Sequence, residues 1–307
     1  MRLRSFPEEG MWLKGNLHAH STVSDGHMPP EPIFKAYEER GYDFFSMTDH
    51  NIYNAYPSDG GMLLIPGFEL SCFIAGKSIH VNCIQKTERS LFGNGQKFVI
   101  KDDRETMEFL EGIKDDYLLI LNHPDWSLLE YPEVKGTDIF KGLEVLNWQT
   151  EWFDRMGEST HFWDSGLRDG MRWKAYATDD SHTDYPEEPG WPFHNFQNDS
   201  FGGWVMVRVK EKSQKAIIEA LENGWFYATE GPEIHDFFVE GNDVTVSCSP
   251  VDRVCCKGEH YNCKRLLRPG ITGCTLPLRN NKQYVRVEVI DAKGKIAWSN
   301  PIYLDKR

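Results

Sequence analysis

The stretch Asn16 to His27, NLHAHSTVSDGH, gathers metal-competent side chains within a few positions. His18 and His20 are one residue apart, so on an extended backbone both imidazoles project to the same side. Asp25 and His27 follow at once. Further groups of the same kind stand at the ends of short apolar runs: His50 in SMTDHN, Glu69 in PGFELS, His123 in LILNHP, and Asp180 with His182 in YATDDSH. His80 lies on the short extended segment SIHVNCI. A single histidine at a strand end is usually a hydrogen-bonded core or rim residue. Two pairs at x-spacing, His18/His20 and Asp180/His182, together with four more groups at strand ends, point to convergence on one place. Several imidazoles with two or three carboxylates suit Zn, Mn or Fe, whereas Ca and Mg prefer shells of oxygen.

Such convergence needs a scaffold that brings strand ends together. The text PPEPIFKAYEERG predicts a helix, with prolines at its start and Gly41 at its stop. YDFFSM, LLIPGFE, YLLILNH, LEVLNW and KAYATDDSH read as strands, several of them separated by helical text such as ETMEFLEGIKDD and HFWDSGLRDGM. GGWVMVRV, SQKAIIEALENG and WFYAT close the series by Thr229. This alternation predicts an α/β fold with a mainly parallel sheet. A count of about seven strands favours a barrel, whose strand ends converge on one face. After Gly231-Pro232 the text changes to alternating runs such as DVTVSCS and YVRVEVID, so the expected organisation is a barrel over 1–231 and a small β-rich unit over 232–307.

With 307 residues, 40% of them hydrophobic, the chain can bury a sizeable core. A net charge of −13 argues against general binding to nucleic acid or anionic membranes. No apolar window of about 18 residues is present, and the opening MRLRSFPEEG leads into no hydrophobic signal region, so the expected location is cytoplasmic. The seven cysteines, five of them in the last sixty residues, show no C-x-x-C spacing and read as ordinary thiols.

The pieces NLHAHSTVSDG, ERGYDFFSMTDHN, GFELS, HVN, NHP and ATDDSH, in this order, resemble the PHP (polymerase and histidinol phosphatase) metal-dependent phosphoesterases. The later LENGWFYATEGPEI, SCSP and AWSNPI are similar to the branch that includes carbaryl hydrolase, whose members carry a β-rich tail. The resemblance implies a distorted seven-stranded (β/α)7 barrel holding two or three divalent transition metals, Mn, Fe or Zn. On this pattern His18, His20, Glu69 and Asp180 hold a first metal. Glu69 bridges to a second held by His80 and His123, and Asp25, His50 and His182 take a third. Some members have histidine where this chain has Asp25. Asp49 and Asp179 are expected to orient ligands, whereas His27, His161 and His194 match no ligand of the family.

The implied activity is hydrolysis of a small phosphorylated metabolite, a nucleotide or sugar phosphate, by a metal-bridging hydroxide at the pair of metals that Glu69 bridges, with Asp25 or His182 as candidates for proton transfer. Carbamate or carboxylic-ester hydrolysis at the same centre is an alternative, and a non-catalytic metal-binding or interaction protein is a second. Lys14, Arg155, Arg168 and Arg172 are candidates to hold further anionic groups of a substrate. Trp126, Trp148, Trp152 and Trp191 are candidates to stack on it. Specificity is expected in loops 91–103, 126–137 and 183–200, and the text specifies neither a substrate nor an oligomeric partner.

Overall fold

The apolar runs of the first half fold as strands between helices whose ends the sequence encodes. In the computed structural model, which describes residues 2–59, 61–183, 199–260 and 264–305, the helix Pro30–Glu39 starts behind Pro29 and buries Ile33, Ala36 and Tyr37 along one stripe. Asp102, Asn147 and Ser213 cap the helices Asp103–Ile113, Trp148–Asp154 and Gln214–Asn223, each side chain accepting a backbone N–H of the first turn. Gly224, at φ 76°, closes the last of these in a left-handed conformation that a side chain would resist.

Two sheets carry the residues of interest. A five-stranded sheet runs in the order Lys174–Thr178, Gly142–Asn147, Tyr117–Leu121, Lys77–Gln85, Gly67–Ile74. Its first three strands are parallel. The last two form an antiparallel hairpin, because only Ala75 and Gly76 join them and both take positive φ, 52° and 73°, as a two-residue reversal requires. In a twelve-stranded sheet, Met11–Asn16 lies beside Phe44–Phe45 and then Leu63–Leu64, all parallel. On its other side Trp204–Val209 runs antiparallel to it, and Phe226–Thr229 antiparallel in turn.

The expected mainly parallel sheet is therefore corrected to a mixed α/β arrangement. The helix Gln214–Asn223 does not cross over to a parallel neighbour: it returns the chain beside the strand it left, and this hairpin-like pair leads the sheet onward into the C-terminal strands. Among the described residues no continuous hydrogen-bonded ladder closes a barrel. The two sheets meet at isolated parallel bridges, Ala19 with Ser181 and His50 with Glu69.

From Ile234 the chain is all β, with long paired strands Asp243–Gly258 and Lys264–Pro277, then Tyr284–Ile290 and Ile296–Ser299. Val246, Val254, Val287 and Val289 fill a core of their own there, joined by Phe6 from the N-terminal segment. The N-terminal strand Arg2–Arg4 completes this region by pairing with Ile234–Glu240. Tyr284 and Trp298 pack instead into the core of the five-stranded sheet and its helices, so the β-rich tail is tied to the rest through buried aromatic side chains.

Candidate metal centre

The seams between the two sheets run through the histidine and carboxylate residues themselves. His18 O accepts from Asp180 N at 3.0 Å, His20 N donates to Ser181 O at 2.8 Å, and Asn51 N donates to Glu69 O at 2.7 Å. Backbone pairing thus sets side chains from distant parts of the sequence against one another. His123 and Asp180 hold positive φ, 26° and 54°, so the chain turns sharply where these two side chains enter the centre. Strained backbone of this kind persists where the surroundings hold it, often at functional sites.

At the bottom, His18, His20, Glu69 and Asp180 are buried and bring one ligand atom each within 4.8 Å of the others. His18 Nε2 lies 3.2 Å from Glu69 Oε1, 3.1 Å from Asp180 Oδ1 and 3.2 Å from His20 Nε2. His20 Nε2 is 3.1 Å from Glu69 Oε2 and 3.0 Å from Asp180 Oδ1. Around Glu69, His50 Nδ1 stands at 3.0 Å from Oε2, His80 Nδ1 at 3.1 Å from Oε1 and His123 Nε2 at 3.6 Å from Oε1. Nearer the mouth, His20, Asp25, His50 and His182 form another group, with Asp25 half exposed and its carboxylate 3.5 Å from His50 Nε2 and 3.6 Å from His182 Nε2. All nine residues singled out in the sequence are in one cluster. Its groupings differ from the pattern drawn above in that His20 also faces Asp25, and His50 faces Glu69 and His80.

Outer partners orient the rings. His18 Nδ1 is 2.6 Å from the Glu144 carboxylate, which turns Nε2 towards the centre. His182 Nδ1 lies 2.9 Å from both the Asp180 carbonyl and the Gln149 amide nitrogen, which turns Nε2 towards Asp25. Glu69 Oε2 and Asp180 Oδ1 are buried with no hydrogen-bond partner. Carboxylate oxygens and imidazole nitrogens packed at about 3 Å around one buried point call for positive charge among them, carried by protons on the rings or by a cation, and a transition metal fits that donor set.

The electrostatics agree. Burial pushes the Glu69 carboxyl up, but the surrounding histidines, His18 foremost, hold it well below the ordinary carboxylate range. Asp180 is likewise held low against burial, chiefly by His18 and His20. Burial lowers the His50 and His182 imidazoles, yet Glu69 and Asp25 respectively more than offset it and lift them to about 9 and about 10. The carboxylates stay ionised, and protons gather on the rings where cations would otherwise sit.

Around this centre stands a layer of supports. Asp49 accepts from Ser21 N at 2.7 Å and from the Ser24 hydroxyl at 2.9 Å, pinning the loop between His20 and Asp25. Asp179 accepts from the Tyr37 hydroxyl and from the N–H groups of Phe201, Gly202 and Gly203. Burial nonetheless lifts Asp179 to about 6. Glu144, not foreseen from the sequence, is fully buried and ties His18 to His123 N, Asn147 and Thr178. Asn122 was missed as well and donates to Glu69 Oε1 at 2.7 Å. The signal for both was a polar residue inside an apolar strand, GLEVLN and LILN. Replacing Glu144 by Gln turns one acceptor into a donor facing His123 N and Asn147, and is expected to lower metal affinity by about 10–100-fold. Competition against a chromophoric chelator measures this, and unchanged affinity would remove Glu144 from the support of the site.

The remaining candidates lie elsewhere. His27 and His161 are on the exposed surface, and His194 and Trp191 fall outside the described residues. The Lys14 ammonium is sandwiched between the rings of Tyr42 and Trp204, Arg155 pairs with Glu151, Arg168 bonds to Ser165, and Arg172 pairs with Asp305. Those four cations are engaged away from the cluster. Among the described residues no lysine or arginine pairs with its carboxylates. Trp148 and Trp152 lie ring against ring on one helix, while Trp126 stands beside His123.

No protein-family model and no curated protein matches the chain. Among solved structures, a two-domain protein from Bacteroides vulgatus ATCC 8482, described as containing a predicted PHP-like metal-dependent phosphoesterase, matches 93% of this chain and 92% of its own at 20% identity, with a TM-score of 0.52. A structure from Bifidobacterium adolescentis ATCC 15703, described as a proposed metal-dependent phosphoesterase, matches 70% of this chain and 98% of its own at 12% identity, with a TM-score of 0.38. The likeness to the first, end to end at low identity, is a likeness of fold.

Proposed function

We propose that the chain is a metal-dependent phosphoesterase of PHP type acting on a small phosphorylated molecule, with His18, His20, Asp25, His50, Glu69, His80, His123, Asp180 and His182 holding two or three divalent transition metals. The observation that carries this reading is the pair of buried carboxylate oxygens, Glu69 Oε2 and Asp180 Oδ1, without a hydrogen-bond partner and packed at about 3 Å against imidazole nitrogens. Reading the two bridges Ala19/Ser181 and His50/Glu69 as seams of a distorted seven-stranded barrel supports the same assignment, with the strands after residue 232 as a companion unit. When bound, the metals would supply Lewis acidity towards phosphoryl oxygens and water activation near neutral pH.

The protein's own groups do the rest. Glu69, in contact with five histidines, places the ligand sets side by side. Glu144 and Asp180 O orient the rings of His18 and His182. Asp25, the most exposed member, lies against His50 and His182 at the mouth and is the candidate for proton exchange with solvent.

One observation favours a second reading, hydrolysis of a carbamate or carboxylic ester. A phosphoryl group carries charge that cationic side chains commonly meet, and none pairs with the cluster among the described residues. One experiment separates the two. Purified protein analysed for Mn, Fe and Zn should carry at least two ions per chain, and inorganic phosphate should inhibit its hydrolysis of aryl phosphates competitively. Metal-loaded protein that cleaves aryl esters but is indifferent to phosphate would establish the second reading instead. Protein without stoichiometric metal would end both.

A further inference from the structure

The rim of the centre is apolar on one side. Trp126 follows His123 by three residues and stands 41% exposed, its ring centroid 5.0 Å from that of His123 and 6.4 Å from that of His80. Its position is held. Trp126 Nε1 donates to Asp154 at 2.9 Å, Ser127 N donates to His123 O, Leu129 N donates to Pro124 O, and Lys77 Nζ donates to Leu128 O at 2.7 Å. A large indole face thus stays open to solvent on a loop braced from both sides. Leu128 beside it, and Trp152 and Phe153 on the helix that carries Asp154, are exposed as well. An exposed aromatic face against a polar cleft marks a surface that binds something.

Charge narrows the ligand. Lys77 and Arg155, the cations of these same segments, are paired with Glu133 and Glu151. Among the described residues this side of the rim therefore offers an aromatic face and few free charges. Resting on the phosphoester reading, we propose that Trp126 is a specificity-determining residue: it stacks on the leaving group, and the preferred substrates are phosphate monoesters of aromatic or otherwise flat, uncharged alcohols. A polyanionic or highly hydroxylated leaving group would find no matching partner on this wall.

Two non-hydrolysable probes that share one headgroup test this by calorimetry on the metal-loaded protein, phenylphosphonate and methylphosphonate. Phenylphosphonate should bind about tenfold more tightly, the advantage a stacked ring supplies. Trp126→Ala should remove that advantage and leave methylphosphonate affinity unchanged, and Trp126→Phe should restore most of it. In steady state, Trp126→Ala should raise KM for phenyl phosphate with little change in kcat. Equal binding of the two probes, or equal weakening of both in Trp126→Ala, would overturn the inference while leaving the phosphoester reading in place. Failure of both probes to bind metal-loaded protein would overturn the phosphoester reading, and the inference with it.

Discussion

Glu69→Ala is expected to empty the centre of most of its metal and to reduce hydrolysis by about a thousandfold or more, since metal assistance supplies several kcal/mol of barrier lowering. Glu69 is fully buried, and its two oxygens reach His18, His20, His50, His80 and His123. No other carboxylate among the described residues reaches so many of the cluster's histidines. Removing its charge leaves those rings facing one another with a cavity between them, so a cation entering there would lack the one carboxylate shared by two of the groupings. Elemental analysis of wild type and variant, purified alike, gives the metal count, and far-UV circular dichroism establishes that the variant is folded. Wild type stripped by a chelator should match the variant in activity and regain it when metal is returned, which the variant should not. A folded Glu69→Ala protein with undiminished metal and activity would show that the cluster is not the hydrolytic centre.

What could be read from the sequence divides along a physical line. Ligand-type residues announce themselves, because a histidine or carboxylate at the end of an apolar run is conspicuous, and the nine assigned as ligands lie together, whereas His27 from the same opening stretch does not join them. Their partners are harder to see. Glu144 and Asn122 are single letters within strands, and what makes them important is pairing between strands far apart in sequence, which no local pattern records. Strand direction was lost for the same reason. The reversal at Ala75-Gly76 lacks the Asn-Gly or Asp-Gly text that flags a hairpin, and Trp204–Val209 reads like any other apolar strand although it runs opposite to Met11–Asn16. The helices after Asp102, Asn147 and Ser213 are set by caps a few residues away and were open to reading. The β-rich tail was legible as strands, but Arg2–Arg4 at its edge and Arg286 in its interior were not.

Replacing Arg286 by Ala is expected to destabilise the fold by about 3–5 kcal/mol, the effect of removing one member of a buried ion pair. The Arg286 guanidinium has no exposure at all. It stacks over the Trp163 ring with its centre 4.4 Å from the centroid, and it pairs at 2.7 Å with both Asp164 of the helix Thr160–Arg168 and Glu288 of its own strand. Lys257, on the adjacent strand, also reaches Glu288 at 2.7 Å. Truncation therefore strands Asp164 beside a cavity and leaves Glu288 with a single partner, exactly where the tail meets the sheet that carries Glu144. Guanidinium unfolding monitored by tryptophan fluorescence measures the loss, and a shift in midpoint without a change in slope would confine it to stability. The pH dependence follows from Glu288. Burial raises its carboxyl, but Arg286 and then Lys257 outweigh this and hold it below its ordinary value. A depressed folded-state pKa contributes stability above the unfolded value, about 4.3 for Glu, and loses it as pH falls through the folded value. The gap between wild type and Arg286→Ala should accordingly be widest near neutrality and narrow in acid below about pH 4. Replacing all three partners at once, as Arg286→Met with Asp164→Leu and Glu288→Met, should recover much of the loss, because a buried ion pair and a packed apolar trio of similar volume are often of similar stability. A triple variant no more stable than Arg286→Ala would instead mean that the charges hold the tail in place through geometry that apolar packing cannot reproduce.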